Sequence, residues 1–186
     1  MMKVLGIDPS LNNFGFAHAL FDPDTGRINV TSVKLATTDA DKKNAKQVRK
    51  NSDDLRRARI LHQAMMRECE GVDFAFIEVP VGSQSARAMA SYGICVGVLA
   101  GCPIPFFEQT PTAVKLAALN NKTATKEQMI EWAMKKYPAT NWLTTKRGGV
   151  AVPIAANEHL ADAVAAIHAG TQSVEFLQAL ALARRM

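Results

Sequence analysis

Three acids and a histidine stand in distant segments whose ends can meet. Asp8 closes the apolar run Val4, Leu5, Ile7, and Glu78 closes a second one, "VDFAFIE" at 72–78. Both runs read as strands. If those strands pair in parallel, their carboxylates lie at one edge of the sheet. The stretch "NEHLADAVAAIHAG" adds Asp162, four residues after Glu158 and three after His159. Both spacings put neighbours on one helix face. An isolated buried carboxylate is costly, and several together repel one another unless cations neutralise them. Hard oxygen donors suit Mg²⁺ or Mn²⁺. Two such ions about 4 Å apart can activate water and stabilise a leaving oxygen in phosphodiester hydrolysis. Each residue also has a structural alternative. Asp8 could cap the turn to Asn12 or Asn13, Glu78 could pair with Arg87, Asp162 could be a first-turn helix acid, and His159 a surface histidine.

The elements that must position these groups follow from periodicity and punctuation. Segments 3–8, 14–21 and 27–36 read as an antiparallel meander, with "DPDTG" at 22–26 as its hairpin turn. Ser52 offers an N-cap, and helical spacing of Leu55, Ala58, Leu61, Met65 and Cys69 predicts a helix over 53–70. A strand over 72–78, an Ala- and Gly-rich helix over 84–100 and a short strand over 103–108 come next. Thr110 and Pro111 start a helix. Thr125 and Gln128 fit a capping box for another, running to Tyr137. Residues 144–153, "TTKRGGVAVP", carry no periodicity and read as a loop. Helices over 157–169 and 172–185 close the chain. This order predicts one α/β domain over 1–186, a mixed sheet with helices on both faces.

The 48% hydrophobic content supports a sizeable core, and with 6% aromatics that core should be mainly aliphatic. Cys69, Cys95 and Cys102 show no metal-ligand spacing and read as buried thiols of a reducing compartment. No signal core or membrane-length apolar run is present, so a cytoplasmic protein without membrane partners is expected. The formal charge is +5, and eight of the 22 basic residues fall between Lys42 and Arg59. They are Lys42, Lys43, Lys46, Arg49, Lys50, Arg56, Arg57 and Arg59. The strip reads either as a solvated face or as a phosphate-binding surface.

An ordered set of motifs carries a resemblance: "GIDPSLNNFGFA" at 6–17, "FAFIEVP" at 74–80, "TPTAVK" at 110–115, "TATKEQM" at 123–129 and "HLADAVAAI" at 159–167. In order and spacing they resemble the RuvC-type Holliday junction resolvases, which have an RNase H-like fold. The resemblance spans about residues 3 to 169. It implies a homodimer that uses divalent metal, Mg²⁺ with Mn²⁺ able to substitute and two ions per site, to cut four-way DNA junctions by paired nicks. It implies Asp8, Glu78 and Asp162 as metal ligands, with His159 at a position that family members fill with Asp or His; Glu158 is a further candidate. Lys115 and Lys126 match lysines that assist at the DNA backbone. Lys42, Lys43, Lys46, Arg49, Lys50, Arg87, Lys146 and Arg147 are candidate DNA contacts.

Three features depart from the family pattern. Ser10 replaces the usual Gly. Val79–Gly82 stands where many members carry an aromatic that unstacks bases. Residues 139–156 form an extension, either a flexible phosphate contact through Lys146 and Arg147 or an inert surface loop. A small-residue stripe, Ala86, Ala90, Gly93 and Gly97, is the candidate dimer face, and Met89, Ile94 and Val98 suit core or interface. The sequence carries no readable signal for branch-migration partners. Two other readings compete. One is an actin-like or sugar-kinase-like ATPase, whose Gly-, Ser- and Thr-rich phosphate loops and second domain this chain lacks. The other is a non-catalytic branched-DNA binder, against which the complete acid set argues.

Overall fold

The computed structural model describes residues 1–41 and 49–185; Lys42, Lys43 and Lys46 lie outside the described residues. A meander of β1 (Met2–Asp8), β2 (Asn13–Asp22) and β3 (Arg27–Thr37) opens the chain. Then come α1 (Lys50–Glu68), β4 (Phe74–Glu78), α2 (Ala86–Leu99), β5 (Phe106–Gln109), α3 (Pro111–Leu119) and α4 (Lys126–Lys136). A hairpin of β6 (Thr144–Arg147) and β7 (Val150–Pro153) leads into α5 (Asn157–Gly170) and α6 (Val174–Ala183). The main sheet has the order β3-β2-β1-β4-β5, with β4 parallel to both β1 and β5. It is the expected α/β mixed sheet.

The sheet separates two apolar layers. Leu5, Ile7, Phe14, Phe16, Ala75 and Ile77 pack against α1 and α2. Val4, Ala17, Phe21 and Phe76 pack against α4, α5 and α6. Strand residues alternate between faces, so Asp8 shares the side of Val4 and Gly6, and Glu78 shares the side of Phe76. Both acids therefore belong to the face that α5 covers. The buried side chains are aliphatic in majority, yet Phe21, Phe74, Phe76, Phe107 and Phe176 gather into one aromatic cluster.

Helix α5 is apolar nearly all round and buried from Leu160 to Gly170 except at the half-buried Asp162, as such a helix must be. It lies unusually close to the sheet. A Cβ on Gly6 would come within 1.9 Å of the Ala163 carbonyl oxygen, and one on Gly15 within 2.2 Å of the His159 carbonyl oxygen. Gly15 is the β2 partner of Asp8. These two glycines set the distance between the first turns of α5 and the end of β1.

Some local expectations need correction. Helix α1 begins at Lys50, with Arg49 at the N-cap position and no side-chain cap, so Ser52 does not cap it. Strand β5 begins at Phe106 rather than 103, because Pro103 and Pro105 have no N–H for a ladder. Residues 144–153 are an antiparallel hairpin, not a loop. Gly148 and Gly149 adopt φ of 57° and 84°, the paired positive angles of a two-residue hairpin turn. The Gly-Gly pair was the signal for it.

Gly6→Ala forces backbone apart, at a cost of about 3 kcal/mol or more, and should lower the thermal midpoint by about 6–12 °C at ~2–4 °C per kcal/mol. Gly93→Ala, where an added Cβ meets nothing within 4 Å, should leave the midpoint unchanged or raise it through helix propensity. Thermal unfolding of the two variants by circular dichroism checks the contrast.

Candidate active site

Parallel pairing of β1 with β4 aligns Val4 with Phe74 and Ile7 with Ile77. The next residues on the two strands are Asp8 and Glu78. Neighbouring strands run about 4.8 Å apart, so these acids stand side by side at one sheet edge. The first turns of α5 bring Glu158, His159 and Asp162 to the same place. A cleft of about 230 Å³ is lined by Asp8, Ser10, Glu78, Tyr92, His159 and Asp162, among others. An adjoining one of about 310 Å³ is lined by Lys115, Lys126, Glu158 and Asp162. The two share Glu158 and Asp162, so the lysines border the acidic cleft from its far side.

Asp8 does not cap its own turn. Ser10 does, accepting from the Asn13 N–H at 3.0 Å and donating to the Asn13 carbonyl at 2.7 Å. Ser10 is thus the residue that closes the bend. The partner of Asp8 is His159, whose Nδ1 lies 2.6 Å from Asp8 Oδ2. Burial would depress the histidine pKa, but this bond and the negative charges of Asp8, Glu158 and Asp162 raise it instead. Burial likewise raises the Asp8 pKa, and His159 offsets part of that.

Among the described residues Glu78 and Asp162 have no such partner. Burial, then the charges of Asp8 and Asp162, push the Glu78 carboxyl up to about 9. Burial, then Asp8 and Glu158, push Asp162 up to about 7. Asp162 Oδ1 is buried without a hydrogen bond among the described residues. Such a group calls for compensation by a proton or a cation. Among the described residues no three His, Cys, Asp or Glu side chains converge around one point as a ready-made metal cage. The donor chemistry and the orphaned oxygen still fit a hard cation: carboxylates line one cleft and burial withholds solvent from them.

Lys126 reaches the site through a 2.7 Å ion pair with Glu158, and the bond raises its pKa. Lys115 is half-buried on α3. Arg87 does not reach Glu78. It forms a two-pronged bond with Asp54, at 2.6 and 2.8 Å, that ties α2 to α1. Arg57, part of the basic strip, is 2% exposed and bonds Leu11 O, Thr38 Oγ1 and Asn12 Oδ1. It fastens α1 to the bend that follows Asp8, a structural task instead of phosphate contact. Arg49 and Lys50 are exposed at the start of α1, and Lys146 and Arg147 are exposed on the hairpin. Tyr92 was missed as a cleft residue. The clue was its place in the first half of a helix that follows Glu78, at the same sheet edge.

No protein-family model matches the chain. It is 28% identical over 153 residues to the crossover junction endodeoxyribonuclease RuvC of Anaeromyxobacter sp. (strain Fw109-5), covering 82% of this chain and 71% of that one. Its structure superposes on Thermus thermophilus RuvC, solved in complex with a Holliday junction substrate, with a TM-score of 0.64 and 16% identity over 97% of each chain. The chain resembles the RuvC-type resolvases in sequence and in fold. The fowlpox virus Holliday junction resolvase is also similar, with a TM-score of 0.51 and 12% identity over 93% of this chain and 100% of that one. The parallel β1–β4 pairing that aligns Asp8 with Glu78 is part of this mixed-sheet fold.

The raised carboxyls make a pH prediction. A carboxyl whose folded pKa exceeds its unfolded value contributes stability below the unfolded pKa, and loses it as pH rises through the folded value. For Asp162 and Glu78 that window runs from about 4 to about 9. In EDTA, Glu78→Gln should therefore gain thermal stability relative to the natural chain as pH rises from about 5 to 9. A difference in melting temperature that stays constant across that range, by scanning fluorimetry, would exclude buried unpaired charge at this position.

Proposed function

We propose that the chain is a structure-specific DNA endonuclease that resolves four-way or related branched junctions by paired, divalent-metal-dependent incisions. One observation carries this reading. Asp8, Glu78 and Asp162 are gathered from three elements into one cleft, with an Asp162 oxygen buried and unbonded. Asp8, Glu78 and Asp162 would hold Mg²⁺ or Mn²⁺, with His159 and Glu158 as the further donors. Bound there, such ions activate water and stabilise the departing oxygen of a phosphodiester. The protein's own part is to present ionised carboxylates in fixed positions, with protons leaving Glu78 and Asp162 as cation binds. His159 orients Asp8 through its Nδ1 bond. Lys115 and Lys126 supply fixed positive charge beside the cleft, where it offsets the negative charge that builds on a reacting phosphate. Similarity to junction-resolving relatives supports the choice of a branched substrate.

A two-fold junction needs two cuts, and a two-fold dimer presents two identical sites. The face we assign to that dimer is α2 with the adjoining part of α1. Gly93 and Gly97 face open space. Met89 and Val96 are 46% and 45% exposed, Ile94 is half-buried, and Val98 belongs to the core. An apolar groove of about 780 Å³, lined by Leu55, Ala58, Ala90, Ile94 and Gly97 among others, runs between the two helices. It lies apart from the acid cleft, as an interface should.

On a synthetic four-way junction with Mg²⁺, the natural chain should cut. Asp8→Asn, Glu78→Gln and Asp162→Asn should each abolish cutting while retaining junction binding. Lys115→Ala or Lys126→Ala should lower the cleavage rate more than the affinity. Natural-level cutting by Asp8→Asn would sink the metal-site reading, and junction binding with no cutting by the natural chain would favour the non-catalytic binder.

Plasmid carrying an extruded cruciform tests the pairing of cuts. The product should be mainly linear, because both incisions occur in one binding event. Gly93→Arg should shift sedimentation to the monomer and the product to nicked circles. A monomeric natural chain that yields nicked circles would defeat paired cutting and leave the nuclease reading intact.

A further inference from the structure

The β6–β7 hairpin stands outside the acid cleft, and nothing in the site accounts for it. Residues 144–153 contain no acid, and Lys146 and Arg147 sit beside its turn. Among the described residues its two strands pair only with each other, and nine of its ten residues are exposed while Val152 is intermediate. A lone two-stranded hairpin is marginal in water, so this one depends on what holds its base.

The base is bonded to the site helix. Asn157, 0% exposed at the start of α5, donates from Nδ2 to the Leu143 carbonyl at 2.8 Å. Its Oδ1 accepts from the Leu143 N–H at 2.9 Å. The Ile154 N–H donates to the same Leu143 carbonyl at 3.2 Å. Asn141 grips the backbone of Val33 on β3 in the same two-way manner, at 2.9 Å each. The residue that anchors the hairpin immediately precedes Glu158 and His159. The ribbon is thus set in register with the acid cleft.

Lys146 and Arg147 are consecutive in one strand, so their side chains leave opposite faces of the ribbon. A surface that lies flat on one backbone would place both cations on one face. This one carries a cation on each.

We infer that the hairpin is a phosphodiester-binding prong that enters between two nucleic-acid backbones, with Lys146 facing one and Arg147 the other. The inference rests on the nucleic-acid-binding part of the reading above. A two-stranded ribbon fits the major groove of duplex DNA, and the same two-sided contact suits the gap between strands at a branch. Phosphate contacts of this kind set register and orientation on the substrate. Lysine supplies a point charge and arginine a planar fork.

The test is binding in EDTA, where nothing is cut, to a four-way junction and to linear duplex across a range of salt. Lys146→Ala and Arg147→Ala should each reduce the slope of log affinity against log salt by about 0.9, and the double variant by about 1.8. Their melting temperatures should match the natural chain, since both side chains are exposed. The control is Arg27→Ala with Arg185→Ala, which removes the same charge at the opposite end of the sheet and should change the slope less than either single variant. Losses on both substrates place the prong in a groove, and a loss on the junction alone places it at the branch. An unchanged slope in the double variant, or an equal loss in the control, overturns the prong. Cutting by the natural chain with Mg²⁺ is scored alongside. Cutting together with an unchanged slope defeats the prong alone; no cutting defeats the nuclease reading, and a slope loss would still uphold the prong.

Discussion

The close seating of α5 on β1 and β2 is the constraint on which the rest depends. Two strand positions without side chains, Gly6 and Gly15, let the helix backbone come within van der Waals reach of the sheet. Because the helix is apolar beyond its first turns, burial holds it there. The consequence at its N-terminal end is electrostatic. Asp162, one turn in, is carried down beside Asp8 and Glu78, where burial and mutual repulsion act on all three carboxyls. The free energy that packs the helix thus concentrates acids in one cleft, and the raised Glu78 and Asp162 carboxyls are the signature of that cost.

The first turn of α5 joins three parts of the molecule within three residues. Asn157 bonds the hairpin base, Glu158 holds Lys126 on α4, and His159 bonds Asp8 on β1. No side chain caps this helix. Its opening residues are committed to neighbours instead. A displacement of this turn would disturb an acid, a cation and the hairpin together.

Basic residues divide by task in a way that net charge conceals. Arg57 and Arg87 are spent on holding α1 to the Asp8 bend and to α2. Arg56 is bonded to Asp53 and to the Asp39 carbonyl. Arginine suits such work because its planar fork meets several acceptors at once. The cations beside the cleft are lysines, Lys115 and Lys126. The density of positive charge in the sequence between Lys42 and Arg59 therefore overstates the charge available to a nucleic acid.

Much of the fold was legible in the chain. Apolar runs gave away the strands and the acids at their ends, and the Thr125–Gln128 capping box is present as read. These features are local, and local propensity and periodicity dictate them. The spacing of Glu158, His159 and Asp162 likewise determined that they share a helix face. Tertiary structure alone decided which partners those groups meet. Glu78 and Arg87 are near in sequence, but Arg87 turns to Asp54 on another helix. Asp8 bonds a histidine 151 residues away. Arg57 is buried though Arg56 and Arg59 beside it are exposed. Pair geometry and burial depend on which surfaces the packed elements bring together, and that choice belongs to the chain as a whole.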